Sequence, residues 1–162
     1  MEETLIQTRL TDRFGNQISV IDEQSDILTI TVDKNVIVEV IQFIKDDLGY
    51  QFLTDLCGIH FPDRELQFGV IYHLHNFQKN ARIRVKCFTS VENPQIQTLT
   101  TLFSAANWME RETFDFFGID FVGHPNLIRI LNVEYLDYFP MRKEYPLEDQ
   151  TRTDKDDSFF GR

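Results

Sequence analysis

The chain has 162 residues and a net charge of −10, with 16 Lys and Arg against 26 Asp and Glu. That balance argues against nucleic acid or an anionic lipid surface as a direct partner, because both recruit clustered cations. A hydrophobic content of 42% predicts one folded domain with room for a tail, and no apolar run approaches the ~20 residues of a membrane span.

The first half of the chain predicts two strands and a helix. The first 26 residues show no strong period, apart from a possible short strand at Gln17–Ile21. Ile27–Val32 alternates apolar residues with Thr and predicts a second strand. Apolar residues at helical spacing then predict a helix over Val36–Leu48.

Three more strands and a helical region follow. The strands are predicted at Gln51–Ile59, Leu66–His75 and Arg82–Thr89, with a polar hairpin turn between the last two. A helical stretch is predicted from Pro94, followed by a second helix from about residue 106 to a stop at Gly118.

These elements predict an α+β fold over residues 1–118. A mixed sheet of four or five strands is expected, with helices on one face, in two layers. After residue 118 the periodicity fades, and residues 119–162 are predicted to form an extended C-terminal arm. Because that segment is apolar yet has no period of its own, docking on a partner is favoured over folding wholly back on its own domain.

Candidate chemistry is sparse. Cys57 and Cys87 are too few and too far apart for a zinc or iron–sulfur site. One disulfide is an alternative, but two buried thiols in a cytoplasmic protein are favoured. His73 and His75 share a strand face and with a carboxylate could begin a metal site, although two ordinary sheet-face histidines are the favoured interpretation. The sequence contains no nucleophile elbow and no glycine-rich phosphate loop.

The most informative stretch runs from Trp108 to Pro146, and its motifs resemble a known family. Upstream pieces agree in the same order, including Tyr72-His73-Leu74 and Ala106-Asn107-Trp108. The motifs that carry the resemblance are Glu110-Arg111-Glu112-Thr113-Phe114-Asp115-Phe116-Phe117-Gly118-Ile119, Gly123-His124-Pro125 and Pro140-Met141-Arg142-Lys143-Glu144-Tyr145-Pro146. They closely resemble the signature of the C subunit of bacterial NADH:quinone oxidoreductase, respiratory complex I (the 30-kilodalton subunit family).

The resemblance implies a hydrophilic-arm subunit without a cofactor or catalytic residue of its own. It implies packing against the quinone-site D subunit and the iron–sulfur subunits B and I, while other subunits carry FMN, the iron–sulfur clusters and quinone. It further implies a peripheral place on the cytoplasmic side of the bacterial inner membrane, in a complex that passes electrons from NADH to quinone and pumps protons.

The resemblance also assigns signature and interface residues. These are Trp108, Glu110, Arg111, Glu112, Asp115, Phe117, Gly118, Gly123, His124, Pro125, Arg129, Pro140, Arg142, Lys143 and Pro146. The four charged residues between 110 and 115 are predicted to fix the helix and the start of the arm through charge-assisted hydrogen bonds. Arg129, Arg142 and Lys143 are predicted to pair with acidic groups, within the chain or on the quinone-site D subunit.

Two positions depart from the family pattern. Ile128 stands where the family often has a first arginine before Arg129, and His60 stands where an acid is usual. Two other functions stay open. One is the equivalent subunit of a membrane-bound hydrogenase or another donor-linked quinone oxidoreductase; the remoter one is a stand-alone metal-dependent enzyme that uses His73 and His75.

Overall fold

The computed structural model describes residues 2–21 and 27–145. Within this part the chain forms three α-helices, a 3-10 turn and seven strands. In chain order they are α1 (Glu2–Phe14), a 3-10 turn (Gly15–Gln17), β1 (Ile18–Ile21), β2 (Leu28–Val32), α2 (Ile37–Asp46), β3 (Phe52–His60), β4 (Phe68–Asn76), β5 (Ala81–Thr89), β6 (Gln95–Gln97), α3 (Ala106–Phe117) and β7 (Asp120–Val122).

Five strands form one mixed sheet in the order β1-β2-β5-β4-β3. The β2–β5 pair is parallel and the other three pairs are antiparallel. The five strands predicted between residues 17 and 89 are therefore all confirmed, with shifts of one or two residues at their ends. The predicted α+β class and its mixed sheet are also confirmed.

The core lies on one face of this sheet. The register aligns Ile30, Val85, Tyr72 and Leu56 in one row across four strands, and all four side chains are buried. Helix α2 adds fully buried apolar residues to the same core. The adjacent row on the opposite face is polar, because Thr29, Arg84, His73 and Asp55 align there.

Two predictions differ from the structure. Helix α1 was not expected, because its apolar stripe is only Ile6, Leu10 and Phe14 in an otherwise polar segment. The helical stretch predicted from Pro94 is wrong: residues 95–97 form β6, which pairs in parallel with β7. Helix α3 lies between these two short strands, and the pairing brings the segments before and after it together.

Helix α3 packs closely against β3 at Gly58. A Cβ atom added there would lie 2.5 Å from the Phe117 ring, which is shorter than any ordinary carbon contact. The missing side chain therefore lets the end of α3 approach the edge of the sheet.

Replacing Gly58 with Ala is expected to lower the free energy of unfolding by roughly 1–3 kcal/mol, because the Phe117 ring must move. Urea denaturation measures this loss. In a Phe117→Ala background most of the loss should disappear, since the clashing ring is gone. Equal losses in the two backgrounds would contradict the close approach.

A candidate protein interface on α3 and the arm

Helix α3 ends at Gly118, which has a left-handed backbone with a φ of 71° and donates its N–H to the Phe114 carbonyl. This is the usual glycine termination of a helix. The following chain then turns back, and Phe139 and Arg142 cover the glycine so closely that an added Cβ would lie 2.5 and 2.6 Å from them. Gly118 thus allows the helix to end in a left-handed residue, and its missing side chain leaves room for Phe139 and Arg142.

Asp115 holds the start of the arm. Its side chain is fully buried, and Oδ1 accepts a hydrogen bond from Arg129 Nη1 at 2.7 Å. Oδ2 accepts the backbone N–H groups of Ile130, Leu131 and Asn132 at 3.1, 2.8 and 2.8 Å. Burial alone would raise the pKa of Asp115, but these four donors together hold it well below its usual range.

Arg129 binds the far end of the same segment, residues 129–138. Its Nη1 also donates to the Asp115 carbonyl, and Nη2 donates to the carbonyls of Leu136 and Tyr138 at 2.8 and 3.0 Å. The guanidinium also lies over the Phe139 ring at 5.0 Å. One ion pair therefore organises residues 129–138, which form no helix or strand.

Arg111 and Arg142 attach the arm to α3 at two further points. Arg111 donates to the carbonyls of Ile128 and Arg129, both at 3.1 Å, and lies over the exposed Trp108 ring. Arg142 Nε donates to the Phe117 carbonyl at 2.7 Å. Both arginines therefore bind backbone oxygens, which require a carbonyl and not a particular side chain.

His60 forms a contact that the sequence did not indicate. Its ring stacks on Phe68, and Nδ1 accepts the backbone N–H of Lys143 at 3.0 Å. An acid, usual in the family at this position, could accept the same hydrogen bond. The departure at residue 128 also leaves the hydrogen bonding intact, because Ile128 accepts from Arg111 through its backbone carbonyl.

Glu110 faces the other way, into the domain. Its carboxylate is fully buried and accepts the Leu99 N–H at 2.7 Å and the Thr98 hydroxyl at 2.5 Å. Burial raises the pKa of Glu110 to about 7, and the two hydrogen bonds partly oppose the rise. Glu110 therefore fixes the segment after β6 onto α3 and does not contact the arm.

Glu112 is the exception among the charged residues of α3. It is exposed and makes no hydrogen bond or ion pair with any described residue. The predicted use of all four charges to fix the helix and arm therefore holds for Arg111 and Asp115 and is altered for Glu110, and for Glu112 no such contact is found among the described residues.

The remaining signature residues lie in the segment that follows α3. His124 accepts the Asn126 N–H at Nδ1, so its Nε2 donates to the Asn107 carbonyl. Gly123 has a positive φ, and Pro125 is exposed. Pro140 precedes Met141, whose N–H binds the Phe116 carbonyl, whereas Pro146 lies outside the described residues.

Of the two histidines of the alternative metal site, His75 packs on the Phe77 ring and its buried Nε2 has no hydrogen-bond partner among the described residues, whereas His73 is hydrogen-bonded. Arg84 Nε donates to His73 Nε2 at 2.9 Å, while His73 Nδ1 lies 3.5 Å from Asp55. Burial and Arg84 lower the pKa of His73. Across residues 2–21 and 27–145, no group of three His, Cys, Asp or Glu is placed to hold a metal ion. Cys57 and Cys87 are both free thiols, as predicted, but only Cys87 is buried and Cys57 is partly exposed.

Residues 30–151 match the family model described as the respiratory-chain NADH dehydrogenase 30 Kd subunit. The chain belongs to this family. The C subunit of the NADH-quinone oxidoreductase of Citrifermentans bemidjiense is 40% identical over 144 residues, covering 89% of each chain. The C subunit from Roseiflexus castenholzii is 47% identical over 122 residues, covering 74% of this chain and 70% of the relative. The protein is thus a subunit of a multisubunit NADH-quinone oxidoreductase.

Two solved structures have folds similar to that of this chain. A trypsin-resistant fragment of Nqo5 (residues 1–134) superposes with a TM-score of 0.69 at 28% identity, covering 78% of this chain and all of the fragment. A chain of an archaeal membrane-bound sulfane sulfur reductase superposes with a TM-score of 0.76 over 91% of this chain and 87% of its own, at 19% identity, which shows the fold alone. None of the helices described here is long and apolar enough to cross a membrane.

Asp115→Asn should lower the free energy of unfolding by roughly 3–5 kcal/mol, because it leaves the mostly buried Arg129 without its counter-ion. Protease cleavage between residues 129 and 138 should also become faster. Urea denaturation and mapped limited proteolysis measure the two effects. Asp120→Asn, at a more exposed carboxylate, is the control, and equal stability of the two variants would contradict the role of Asp115.

The raised pKa of Glu110 makes stability depend on pH. Since the folded pKa is about 7 and the ordinary value 4.5, the favourable contribution is complete below about pH 4.5 and is lost as the pH rises through 7. Glu110→Gln should remove roughly 3 kcal/mol of that decline. Urea denaturation at pH 5 and pH 8 tests this, with Glu39→Gln as the exposed control; an unchanged decline in Glu110→Gln would contradict it.

Proposed function

We propose that this chain is a cofactor-free, non-catalytic scaffold of a proton-pumping NADH:quinone oxidoreductase. In this role α3 and the arm dock on the quinone-site D subunit and help to hold the iron–sulfur subunits B and I. Electrons pass from FMN through the iron–sulfur clusters of other subunits to quinone. The chain stays peripheral on the cytoplasmic side of the bacterial inner membrane through its partners.

The observation that carries this proposal is the outer surface of the arm. Residues 126–145 are anchored inward by charged and polar contacts, yet seven of their twelve exposed side chains are apolar, interspersed with Asn126, Glu134, Asp137, Lys143 and Glu144. Leu131 is 65% exposed and Tyr135 is 87% exposed. The other exposed apolar residues of this surface are Ile128, Val133, Tyr138, Met141 and Tyr145.

This arrangement indicates that a protein partner covers the exposed apolar side chains. Single exposed apolar residues are common on soluble proteins, but here they recur every two to four residues from Ile128 to Tyr145, and such a concentration marks an interaction surface. Tyrosine, methionine and tryptophan are enriched in interface centres, and Trp108 of α3 adds a further exposed ring. The arm therefore supplies a shaped apolar surface whose position α3 determines.

A related complex is the second candidate. The similarity to a chain of the archaeal sulfane sulfur reductase shows that another respiratory membrane complex contains the same fold. Identity near 40% to NADH-quinone oxidoreductase subunits favours the NADH-linked complex for this chain. Identification of the subunits that co-purify with it separates the two candidates.

Arg111→Ala should weaken assembly, because the arm loses two hydrogen bonds to α3 and its outer surface is no longer held in shape. The measurement is the amount of the quinone-site D subunit that the tagged full chain captures when it is expressed with its partner subunits. We expect capture to fall severalfold, and Arg111→Lys to give a smaller loss because its single ammonium nitrogen can still donate to one of the two carbonyls.

The control is Arg82→Ala, since Arg82 is exposed on the opposite side of the sheet. It should capture the quinone-site D subunit as well as the wild type does. If Arg111→Ala also captured wild-type amounts, the arm would not be the docking surface. Recovery of hydrogenase-type subunits in place of the quinone-site D subunit would favour the second candidate.

A further inference from the structure

A pocket of about 330 Å³ opens between β3 and α3. Its lining combines the apolar side chains of Leu56, Phe116, Phe117 and Met141 with two carboxylates, Asp55 and Glu112. Gly58 and the Phe117 ring, which lie in close contact, both line this pocket. It is therefore built by the same packing that positions the arm.

Among the described residues, the lining of the pocket contains two carboxylates and no lysine or arginine. Glu112 has no hydrogen-bond or ion-pair partner among the described residues, while Asp55 lies 3.5 Å from His73 Nδ1 and shares a hydrogen bond with the Cys57 thiol. Burial raises the pKa of the neighbouring Cys57 thiol, and the charges of Asp55 and Glu112 raise it further against a smaller opposing effect of Arg84. Asp55 and Glu112 therefore both lie close enough to act on this thiol.

We propose that this pocket receives a basic side chain, arginine or lysine, from a partner protein. The aliphatic stem would lie on the apolar wall, and the cation would pair with Glu112 and Asp55. The inference rests on the proposed scaffold function and assigns one contact chemistry within it. It also gives a use to Glu112, the one charge of the 110–115 segment that makes no hydrogen bond or ion pair with a described residue.

Other occupants fit less well. An anion would be repelled by both carboxylates, and a purely apolar side chain would desolvate Glu112 without pairing it. A cation matches both the charge and the apolar wall, because basic side chains combine a charged head with a hydrocarbon stem. The aromatic rings favour arginine, whose planar guanidinium stacks on them.

The pocket is continuous with the surface of the arm. Met141 lines the pocket and is also one of the exposed apolar residues of the arm. A partner that covers the arm therefore reaches the pocket without a second, separate contact. This places a specific charged contact at the margin of an apolar surface, as is usual for protein interfaces.

The first test measures partner capture at rising salt. The tagged full chain is co-expressed with its partner subunits, and capture is compared for the wild type, Glu112→Gln, Glu112→Lys and Glu39→Gln. We expect at least about a tenfold loss of affinity for Glu112→Gln and a larger loss for Glu112→Lys. Glu39→Gln, at an exposed glutamate on α2, should match the wild type.

The second test uses Cys57 as a probe in the free full chain. A trimethylammonium methanethiosulfonate should modify Cys57 faster than a neutral reagent of similar size, and Glu112→Gln should reduce that ratio severalfold. Taking the ratio cancels any change in the thiol pKa. The buried Cys87 should stay unmodified, and partner binding should protect Cys57 from both reagents.

The outcomes separate the two proposals. If the wild type captures no partner subunit, the scaffold function fails and this inference fails with it. If the wild type captures its partners and both Glu112 variants capture them equally well, only the basic side-chain contact is overturned. Equal modification of Cys57 by cationic and neutral reagents, or no protection in the complex, also overturns it.

Discussion

The ion pair between Asp115 and Arg129 is the interaction on which the candidate interface depends. The two side chains make seven hydrogen bonds, which include three consecutive N–H groups and two carbonyls of a segment that forms no helix or strand. Buried backbone groups need partners, and a loop cannot satisfy its own as a helix does. One buried carboxylate and one guanidinium here replace the missing secondary structure.

The charged residues of helix α3 bind different parts of the chain. Glu110 fixes the chain before the helix, Arg111 and Asp115 fix the chain after it, and Glu112 stays outside. The short β6–β7 pair joins the same two flanking segments by backbone hydrogen bonds. The sheet positions the helix through the close contact at Gly58, and the helix in turn positions the arm through its hydrogen bonds.

The sequence predicted the central elements because their patterns are local. Alternation identified β4 and β5, and Gly118 identified the end of α3. The short strand β6 was missed because three residues after a proline carry almost no period, and their pairing depends on β7, more than twenty residues later. Helix α1 was missed because tertiary packing of three apolar residues, and not composition, stabilises it.

The candidate site was only partly predictable for the same reason. The motif named the charged residues, but only the folded chain shows which of them face inward. Glu110 and Glu112 are separated by one residue and differ completely in burial. The role of His60 depends on a contact with Lys143, 83 residues away, which no local pattern contains.

The internal anchoring of the arm has a consequence for the thermodynamics of association. A docking segment that folds only on its partner loses conformational entropy at the moment of binding, and its affinity falls accordingly. Here residues 129–138 are already held by hydrogen bonds within the chain. A partner therefore meets a preorganised surface, and most of the free energy gained by covering its aromatic side chains remains available as affinity.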